Sequence, residues 1–290
     1  MPYSISIIVP CRNEGPLLRQ TLVSFQEART ELSFEIIVIN DGSTDGCCDF
    51  LKDKKWRVIF LPAFGLGVAN ARNYGASVAK GDFFCFCDAH LSVEDYWLDK
   101  LARPLIAQEA DLACPGFASV DKPQVIGYGV TWDDKLNWKW LYEAPITVKY
   151  IPFAPGGCLM VRRDVFTDLG GFEKGFRVFG YDDQEFSLKA WLFGYRVAVA
   201  PQVKVLHVFR ERHPYPVSWL DLTHNLLRLA FLHFNQQRFG KVIEAVKIHQ
   251  DFGHVMAELI FSNAWEKRQA YLAQRRYDDN WFMQRFGINF

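Results

Sequence analysis

Two side chains of the kind that bind metal ions stand two positions apart, at Asp88 and His90. They follow the apolar run FFCFC at 83–87, which has the pattern of a buried strand. At a strand end both can reach one ion, and a carboxylate beside an imidazole favours Mn²⁺ over Ca²⁺. The pair therefore predicts a divalent-cation site, the alternative being that His90 is a surface residue without a ligand.

A third candidate ligand, His207, ends a strand-like run and is followed by basic and aromatic residues. These residues are Arg210, Arg212, His213 and Tyr215. Arginine binds phosphate oxygens in a bidentate manner, and tyrosine can hydrogen-bond to them. The segment predicts a phosphate-binding loop beside the metal site, with a solvated basic loop as the alternative.

An acidic cluster of Asp182, Asp183 and Glu185 stands at the start of a predicted helix. Carboxylates are favoured at this place because they cap the helix and oppose the positive end of its dipole. The functional alternative is acid–base catalysis, which needs a carboxylate near a reacting hydroxyl. The pattern alone allows both roles.

These candidates need a scaffold that brings strand ends together, and the N-terminal part of the chain predicts one. Short apolar segments alternate with helical ones, which is typical of a doubly wound parallel sheet. The predicted strands are 4–9, 35–39, 57–61 and 83–87, and the predicted helices are 16–28 and 68–79. Ligands bind at the carboxyl ends of such strands, where the polar clusters Arg12-Asn13-Glu14, Asn40-Asp41 and Asp88-Ala89-His90 stand.

The rest of the chain is less regular and then becomes helical. The Trp-rich stretch within 113–150 predicts a loop or hairpin over the sheet, and 155–171 predicts a turn, a strand and a short helix. Further predicted elements are a helix at 182–193, strands at 196–199 and 203–207, and helices at 218–235, 241–251 and 255–277. The simplest organisation is one catalytic domain over 1–216 with a helical extension over 217–290.

The composition narrows the class of protein. Of 290 residues, 33 are Lys or Arg and 33 are Asp or Glu, so a nucleic-acid partner is not expected. Because 50% of residues are hydrophobic, the chain can bury a large core and is not intrinsically disordered. No run of about 18 apolar residues predicts a membrane span, and no targeting segment is expected at the N-terminus.

Two absent motifs also bear on function. The sequence has neither a P-loop nor GxGxxG, so a bound nucleotide diphosphate needs another partner, most simply a divalent metal. The seven cysteines lack CxxC spacing, which predicts reduced thiols and a cytoplasmic location.

Four motifs resemble those of a known superfamily: INDGSTDG at 39–46, CDAH at 87–90, PGGCLMVRRDVFTDLGGF at 155–172 and FGYDDQEFSLKAW at 179–191. They are similar to those of the GT-A nucleotide-sugar glycosyltransferases of family-two type. The DxH group followed by Trp97-Leu98, and the HVFRxxxPY stretch from His207 to Tyr215, resemble the catalytic domain of polypeptide N-acetylgalactosaminyltransferases. The resemblance covers about residues 4–216 and implies the GT-A fold, a Rossmann-like and mostly parallel sheet flanked by helices.

The resemblance implies a metal-dependent glycosyltransferase. Such an enzyme transfers a hexosyl or N-acetylhexosaminyl group from a nucleotide-diphosphate donor, here expected to be UDP-linked, to a hydroxyl acceptor. The acceptor stays open between a saccharide, a lipid-linked saccharide and a protein. Asp88, His90 and His207 would hold Mn²⁺ or Mg²⁺. The alternatives are a sugar nucleotidyltransferase and a non-catalytic nucleotide-sugar-binding module.

The resemblance also assigns residues to the donor pocket. The base pocket would be lined by Pro10 and Arg12, with Asp41 contacting the uracil or ribose. Arg72 would help to bind the nucleotide or the sugar. The remaining implied residues are Gly156 and Gly157, which let the backbone approach the sugar, and Arg210, His213 and Tyr215, in a loop that closes over the donor.

At the acidic cluster the chain differs from those transferases, with Tyr181-Asp182-Asp183 where they have Gly-Glu-Asn. It is nearer to the Glu-Asp signature of inverting relatives, in which an acid deprotonates the acceptor hydroxyl. If the reaction inverts, Asp183 is the expected base and Asp182 the second choice, and Glu185 completes the candidate catalytic set. The stereochemistry stays open.

The predicted helical extension ends in an aromatic stretch that includes Trp281, Phe282, Phe286 and Phe290. Such a stretch is most often packed core or a contact in a homo-oligomer. Peripheral contact with a membrane, near a lipid-linked acceptor, is the alternative.

Overall fold

The computed structural model describes residues 4–290, whose strands form a large mixed sheet and a small hairpin. The strands are β1 (Ser4–Cys11), β2 (Ser33–Asp41), β3 (Val58–Ala63), β4 (Phe83–Cys87), β5 (Leu91–Val93), β6 (Leu112–Ser119), β7 (Lys122–Gly127), β8 (Val130–Trp132), β9 (Trp138–Trp140), β10 (Lys149–Tyr150), β11 (Cys158–Arg162) and β12 (Val197–His207). The helices are α1 (Leu17–Glu27), α2 (Gly67–Val78), α3 (Trp97–Ile106), α4 (Arg163–Asp168), α5 (Asp182–Phe193), α6 (Trp219–His233), α7 (Gln236–Val246), α8 (Phe252–Ile260), α9 (Ala264–Gln274) and α10 (Asp279–Phe286).

One half of the large sheet is parallel, and its strands β1, β2 and β4 are mostly buried on both faces. β1 pairs in parallel with β2 and with β4, and β2 pairs in parallel with β3. Ile7 is fully buried and lies in register between Ile36 and Cys85. Strands buried in this way need helices as covers, and α2 packs on β1 and β2.

The other half of the sheet is mixed, because β11 runs antiparallel between β4 and β6. β12 then pairs in parallel with β6, so it runs in the same direction as β4. The carboxyl ends of β1, β2, β4 and β12 therefore lie at one edge. The predicted class, an α/β fold with a central sheet flanked by helices, is confirmed, and β11 makes that sheet mixed.

Two predicted elements differ from the structure. The segments 196–199 and 203–207 are one strand, β12, which is irregular between Ala200 and Lys204. The predicted helices at 218–235, 241–251 and 255–277 are replaced by the five helices α6 to α10. The long third helix is interrupted at Phe261–Asn263, and α10 begins where the Asp278 side chain accepts the N–H of Trp281. The Trp-rich stretch forms the predicted hairpin, from β8 and β9.

The aromatic end of the chain packs into the core. Phe282 and Met283 are buried, and Phe286 packs against Phe282 and against Trp191 of α5. Large apolar residues of the extension that are exposed lie elsewhere, at Trp219, Ile248, Ile260, Phe261 and Trp265, and the last three are close to the junction of α8 and α9. Within residues 4–290, no helix has the length and apolar content that a bilayer crossing requires.

Candidate active site

A cleft of about 390 Å³ opens where β1, β2, β4 and β12 end. Fourteen of the fifteen residues predicted for the site line this cleft. They are Pro10, Arg12, Asp41, Arg72, Asp88, His90, Gly156, Gly157, Asp182, Asp183, His207, Arg210, His213 and Tyr215. The topology brings them together because the four strands before them run in the same direction.

Asp88, His90 and His207 form a compact group in the cleft. One potential ligand atom of each lies within 4.8 Å of the others. Asp88 Oδ2 is 3.2 Å from His207 Nε2 and 3.8 Å from His90 Nε2. His207 Nδ1 is buried without a hydrogen-bond partner among residues 4–290. One carboxylate and two imidazoles in this arrangement fit a divalent transition-metal cation such as Mn²⁺.

The charge state of Asp88 suits a metal ligand. Burial raises the pKa of its carboxyl, but the hydrogen bond with His207 and the charges of His90 and Arg72 outweigh burial, so the net pKa is lower than usual. The carboxylate is ionised at neutral pH, as metal binding requires.

Glu14 has a role that the sequence analysis did not assign. Its carboxylate accepts a hydrogen bond from Nδ1 of His90 at 3.1 Å and also pairs with Arg210. Because a carboxylate can only accept, Nδ1 of His90 carries the proton and Nε2 is left free to face a cation. In the sequence, the only indication of this role is that Glu14 belongs to a polar cluster at the end of a buried strand.

Arg72 connects the metal-ligand group to the acidic cluster. Its buried guanidinium donates to Asp182, to the carbonyl oxygen of Gly156 at 2.7 Å and to Asp88 Oδ1 at 3.3 Å. Burial opposes the charge, but Asp182 and Asp88 outweigh burial and raise the pKa of Arg72. A fixed positive charge therefore lies beside the proposed cation position.

Asp183 is the carboxyl group in the cleft that is best suited to exchange a proton. Its Oδ2 accepts the backbone N–H of Gly156 at 2.8 Å. Burial, and then the charge of Asp182, raise the pKa of Asp183 to about 7. A group with this pKa can take up a proton near neutral pH, which a general base must do.

Two glycines keep the backbone close to these side chains. A Cβ added to Gly157 would lie 3.0 Å from the Phe117 ring and 3.2 Å from both Asp88 Oδ2 and His207 Cδ2. A Cβ added to Gly156 would lie 3.0 Å from Arg72 Nη1. A side chain at either position would crowd the group that the strands assemble.

Asp41 lines the cleft and also fixes the start of α2. Its carboxylate accepts the backbone N–H groups of Leu66 at 2.7 Å and Gly67 at 2.9 Å. These are among the N–H groups that a helix start leaves without partners inside the helix. Because α2 carries Arg72, Asp41 helps to determine where that guanidinium lies.

The segment after β12 lies against the cleft. The Tyr215 ring is 5.3 Å from the Arg12 guanidinium, and the carbonyl oxygen of Pro214 accepts a hydrogen bond from Asn13 Nδ2 at 3.3 Å. The His213 ring lies 4.2 Å from that of Phe179. The predicted closing loop is thus in contact with both sides of the cleft.

Glu185 lies outside the cleft, which corrects its place in the predicted catalytic cluster. It is fully buried, with Oε1 2.8 Å from His233 Nε2 and Oε2 3.3 Å from Lys189 Nζ. A helix turns about 100° per residue, so side chains two positions apart point to nearly opposite sides. Asp183 therefore faces the cleft while Glu185 faces the C-terminal helices.

Two exposed aromatic residues are among the cleft-lining residues outside the predicted set. Trp138, in the β8–β9 hairpin, is 37% exposed, and Phe209, after β12, is 50% exposed. Exposed rings at a cleft are surfaces on which a sugar or peptide can pack.

The fold and the cleft together are those of a nucleotide-sugar transferase: parallel strands end at a carboxylate–imidazole group, with cationic side chains on a loop above it. A family model described as glycosyl transferase family 2 matches residues 6–170, and the chain belongs to this family. A second model, described as the N-terminal domain of galactosyltransferase, matches residues 148–214. The predicted resemblance and the assignment as a glycosyltransferase are confirmed.

Several curated proteins are similar to this chain. A probable N-acetylgalactosaminyltransferase 8 of Caenorhabditis elegans is 30% identical over 97% of the chain and 72% of its own length. Polypeptide N-acetylgalactosaminyltransferase 8 of Drosophila melanogaster is 29% identical over 72% of the chain and 38% of its own length. Polypeptide N-acetylgalactosaminyltransferase 10 of Homo sapiens is 29% identical over 78% of the chain and 41% of its own length. The chain spans less than half of the last two relatives.

Solved structures share the fold. GalNAc-T7, solved with UDP, GalNAc and Mn²⁺, superposes with a TM-score of 0.78 at 20% identity, over 99% of this chain and 57% of that one. Staphylococcus aureus TarS, solved with UDP-GlcNAc, gives a TM-score of 0.59 at 18% identity, over 90% of this chain and 74% of that one.

Proposed function

We propose that this protein transfers a sugar from a UDP-linked donor to a hydroxyl acceptor, with Mn²⁺ or Mg²⁺ bound. The proposal rests on the convergence of Asp88, His90 and His207 in one cleft, with Arg72 beside them. A cation in this group and the Arg72 guanidinium give a formally neutral chain the local positive charge that a diphosphate needs.

Residues around the metal-ligand group have distinct roles in the proposed reaction. A bound cation would offset the charge that develops on the departing diphosphate. Glu14 holds the tautomer of His90, and Arg72 orients Asp182. Arg210 and Tyr215, on the loop after β12, exclude water from the donor.

The nature of the donor draws support from the similar proteins. GalNAc-T7 was solved with UDP and GalNAc, TarS was solved with UDP-GlcNAc, and the curated relatives are named N-acetylgalactosaminyltransferases. We therefore place UDP-linked N-acetylhexosamines first among candidate donors and UDP-hexoses second.

For the acceptor side we propose Asp183 as the group that takes the hydroxyl proton in an inverting reaction. Its raised pKa and its position in the cleft support this role. The exposed rings of Trp138 and Phe209 offer a surface for a saccharide or a peptide acceptor. Either acceptor presents the hydroxyl that the reaction needs.

The metal-ligand group is tested by removing one ligand at a time. In Asp88→Asn and His207→Ala we expect Mn²⁺-dependent hydrolysis of UDP-GalNAc and UDP-GlcNAc to fall by about 10²-fold or more, because the cation is lost. Release of UDP is the measurement, and Mn²⁺ binding by calorimetry accompanies it.

His254→Ala is the matched control, since His254 is largely exposed and pairs with Glu258 on its own helix. It should keep the activity and the Mn²⁺ affinity of the wild type. Unchanged hydrolysis by both ligand variants in excess chelator would contradict the metal site. Donor binding without any turnover by the wild type would favour a non-catalytic module.

We also propose a reducing compartment, such as the cytoplasm, as the site of action. The seven cysteines are all buried and all unpaired. Such thiols are typical of proteins kept under reducing conditions. Any contact with a membrane or a second copy is expected at the exposed residues Ile260, Phe261 and Trp265, and cell fractionation and sedimentation test the two ideas.

A further inference from the structure

Three cysteines meet beside the cleft, at a place where no step of the proposed reaction uses them. The Sγ atom of Cys11 lies 3.6 Å from that of Cys47 and 3.5 Å from that of Cys48, and the last two are 3.8 Å apart. Their exposures are 2%, 5% and 7%, and Cys11 lines the cleft. We call this group the three-cysteine cluster.

The cluster joins two segments that are already held in place. Cys11 ends β1, whereas Cys47 and Cys48 follow the loop after β2. In that loop the Asp45 carboxylate accepts the N–H groups of Cys47 at 3.0 Å and Gly15 at 2.8 Å. The three sulfurs are therefore positioned by the backbone, as a preorganised metal site requires.

The size of the sulfur triangle matches a thiolate-bound zinc ion. A Zn–S bond of about 2.3 Å sets sulfur–sulfur distances of about 3.8 to 4.0 Å in tetrahedral or trigonal geometry. The observed distances of 3.5 to 3.8 Å need only a small expansion.

The ligand chemistry separates this cluster from the group at Asp88. Oxygen and nitrogen ligands suit Mn²⁺, whereas three sulfurs select softer ions such as Zn²⁺. A second cysteine group, Cys85, Cys87 and Cys158, is fully buried inside the sheet and does not line the cleft. The three-cysteine cluster is the one of the two with a route for an ion, through Cys11.

We propose that Cys11, Cys47 and Cys48 bind one Zn²⁺ ion. Three Zn–S bonds form, the three Sγ–H protons leave to solvent, and no electron is transferred. The bound ion joins residues 11–15 to the loop at 42–48. Arg12 lies within the first of these segments, Asp41 directly precedes the second, and both line the cleft. Occupancy therefore stabilises that side of the cleft.

The direct test uses Cd²⁺ as a spectroscopic probe of thiolate coordination in the full chain. Reduced protein, with its other metal site saturated by Mg²⁺, is titrated with Cd²⁺ and monitored for the sulfur-to-metal charge-transfer band in the ultraviolet. The band should saturate at about one equivalent. In Cys11→Ser, and in Cys48→Ser, the band should be lost, and Zn²⁺ affinity in competition with a chromophoric chelator should fall at least about tenfold.

Cys114→Ser and Cys85→Ser are matched controls, because both residues are fully buried and belong to no part of the cluster. They should keep the band. Asp88→Asn should also keep it, which separates this site from the proposed catalytic cation. A wild-type protein that gives no band at stoichiometric Cd²⁺ would overturn the proposal, as would a band that persists in Cys11→Ser and disappears in Cys85→Ser.

A second measurement needs no variant and so does not depend on whether a substituted protein folds. Zn²⁺ should slow the reaction of Cys11, Cys47 and Cys48 with iodoacetamide by at least about tenfold, as read by peptide mass spectrometry. Equal labelling with and without Zn²⁺ would show that the cluster is a packed group of thiols and no metal site.

Discussion

The carboxylates of Asp182 and Asp183 are neighbours in the cleft, and that of Asp182 accepts a hydrogen bond from Arg72. Burial raises the pKa of Asp182, while the charge of Arg72 opposes the rise. Asp183 receives its hydrogen bonds from the N–H groups of Gly156 and Gln184 and has the charge of Asp182 beside it. The pKa of each carboxyl is raised, and Asp183, with a pKa of about 7, is the one suited to accept a proton near neutral pH.

Asp183 should therefore give the reaction a pH dependence. If it is the base, kcat/KM rises with pH through about 7, because the ionised form is the active one. Asp183→Asn keeps the shape of the side chain and should lower kcat by about 10²-fold or more. The pH profile of the wild type and single-turnover assays of the variant provide the measurement.

The same group makes a distinct contribution to stability. Its pKa is raised on folding, so its stabilising effect is complete below the unfolded pKa of about 4 and is lost as pH rises through about 7. Relative to the wild type, Asp183→Asn should gain stability between pH 5 and pH 8 in urea unfolding. A difference that does not change with pH would contradict the raised pKa.

Glu14 acts on the metal site through His90. Glu14→Gln removes the charge that holds the Nδ1 proton of His90 and the pairing with Arg210, so Mn²⁺ affinity should fall by about 10- to 100-fold. Calorimetric titration with Mn²⁺ measures the effect. The matched control is Glu94→Gln, since Glu94 is partly exposed and pairs with Lys100; similar Mn²⁺ affinity in both variants would exclude the role of Glu14.

The cleft residues that could be predicted from the sequence are those whose position at a strand end determines which edge of the sheet they occupy. A polar residue that follows a buried parallel strand has to appear at the carboxyl edge of the sheet, and this is why Asp41, Asp88 and His207 were found. Contacts between distant segments could not be predicted, such as that of Glu14 with Arg210, which are 196 positions apart. Glu185 was assigned from spacing along the chain, although the helical turn sends it away from Asp183.

Among the elements, α2 shows most clearly how local structure sets the site. It has no side-chain cap of its own, because residue 66 at its start is a leucine. The carboxylate of Asp41, at the end of β2, substitutes for that cap through two backbone hydrogen bonds. The positive φ of +72° at Gly67 fits the tight entry, where a Cβ would come within 3.0 Å of the Val178 backbone.

Asp41→Ala should therefore destabilise the protein by about 1 kcal/mol, within the range of lost helix caps. Because α2 then loses its fixed start, KM for the donor should also increase, through Arg72. Asp49→Ala is the control, since Asp49 is exposed and pairs with Lys52, and its effect on stability should stay within about 0.5 kcal/mol. A larger KM without any loss of stability would instead indicate that Asp41 serves only the donor.

The strands and helices of the N-terminal part were predictable because each has one simple apolar pattern, either a continuous apolar run or a single apolar face. The C-terminal helices were not, because apolar residues continue across their ends. Phe261 lies between α8 and α9, and such a break is set by packing and by the polar Ser262 and Asn263. Side chains of both bind Arg228, a contact that the sequence does not show.

In the whole molecule, a buried ionic network joins the sheet-containing part to the C-terminal helices. Glu173 is fully buried and pairs with Arg228 of α6 at 2.9 Å and with Lys267 of α9 at 2.8 Å. Burial raises the pKa of Glu173, but the charges of Lys267 and Arg228 outweigh it and hold the pKa at about 2. The predicted division into 1–216 and 217–290 therefore cuts through a charge-compensated core.

Arg228→Met tests this network in the full chain, because methionine keeps most of the apolar volume of the arginine side chain and removes its charge. Breaking a buried pair from one side costs about 3–5 kcal/mol, so urea unfolding should show a loss of that order. Lys247→Met, which removes an exposed cation paired with Glu244, should change stability by less than about 0.5 kcal/mol.

The dependence of the sheet-containing part on the C-terminal helices can be tested by producing residues 1–216 alone. Without α6 and α9, the Glu173 carboxylate loses both Arg228 and Lys267 and must either be buried unpaired or open its surroundings to water. The α5 face that packs on the extension, including Glu185, loses His233 at the same time. We expect the fragment to lack a cooperative urea transition and to elute as aggregates, and adding Glu173→Gln should recover only part of its solubility because the apolar face remains exposed. A fragment that unfolds cooperatively with the full-length midpoint would show that the extension is an independent unit, and the network would then be an interface between two domains.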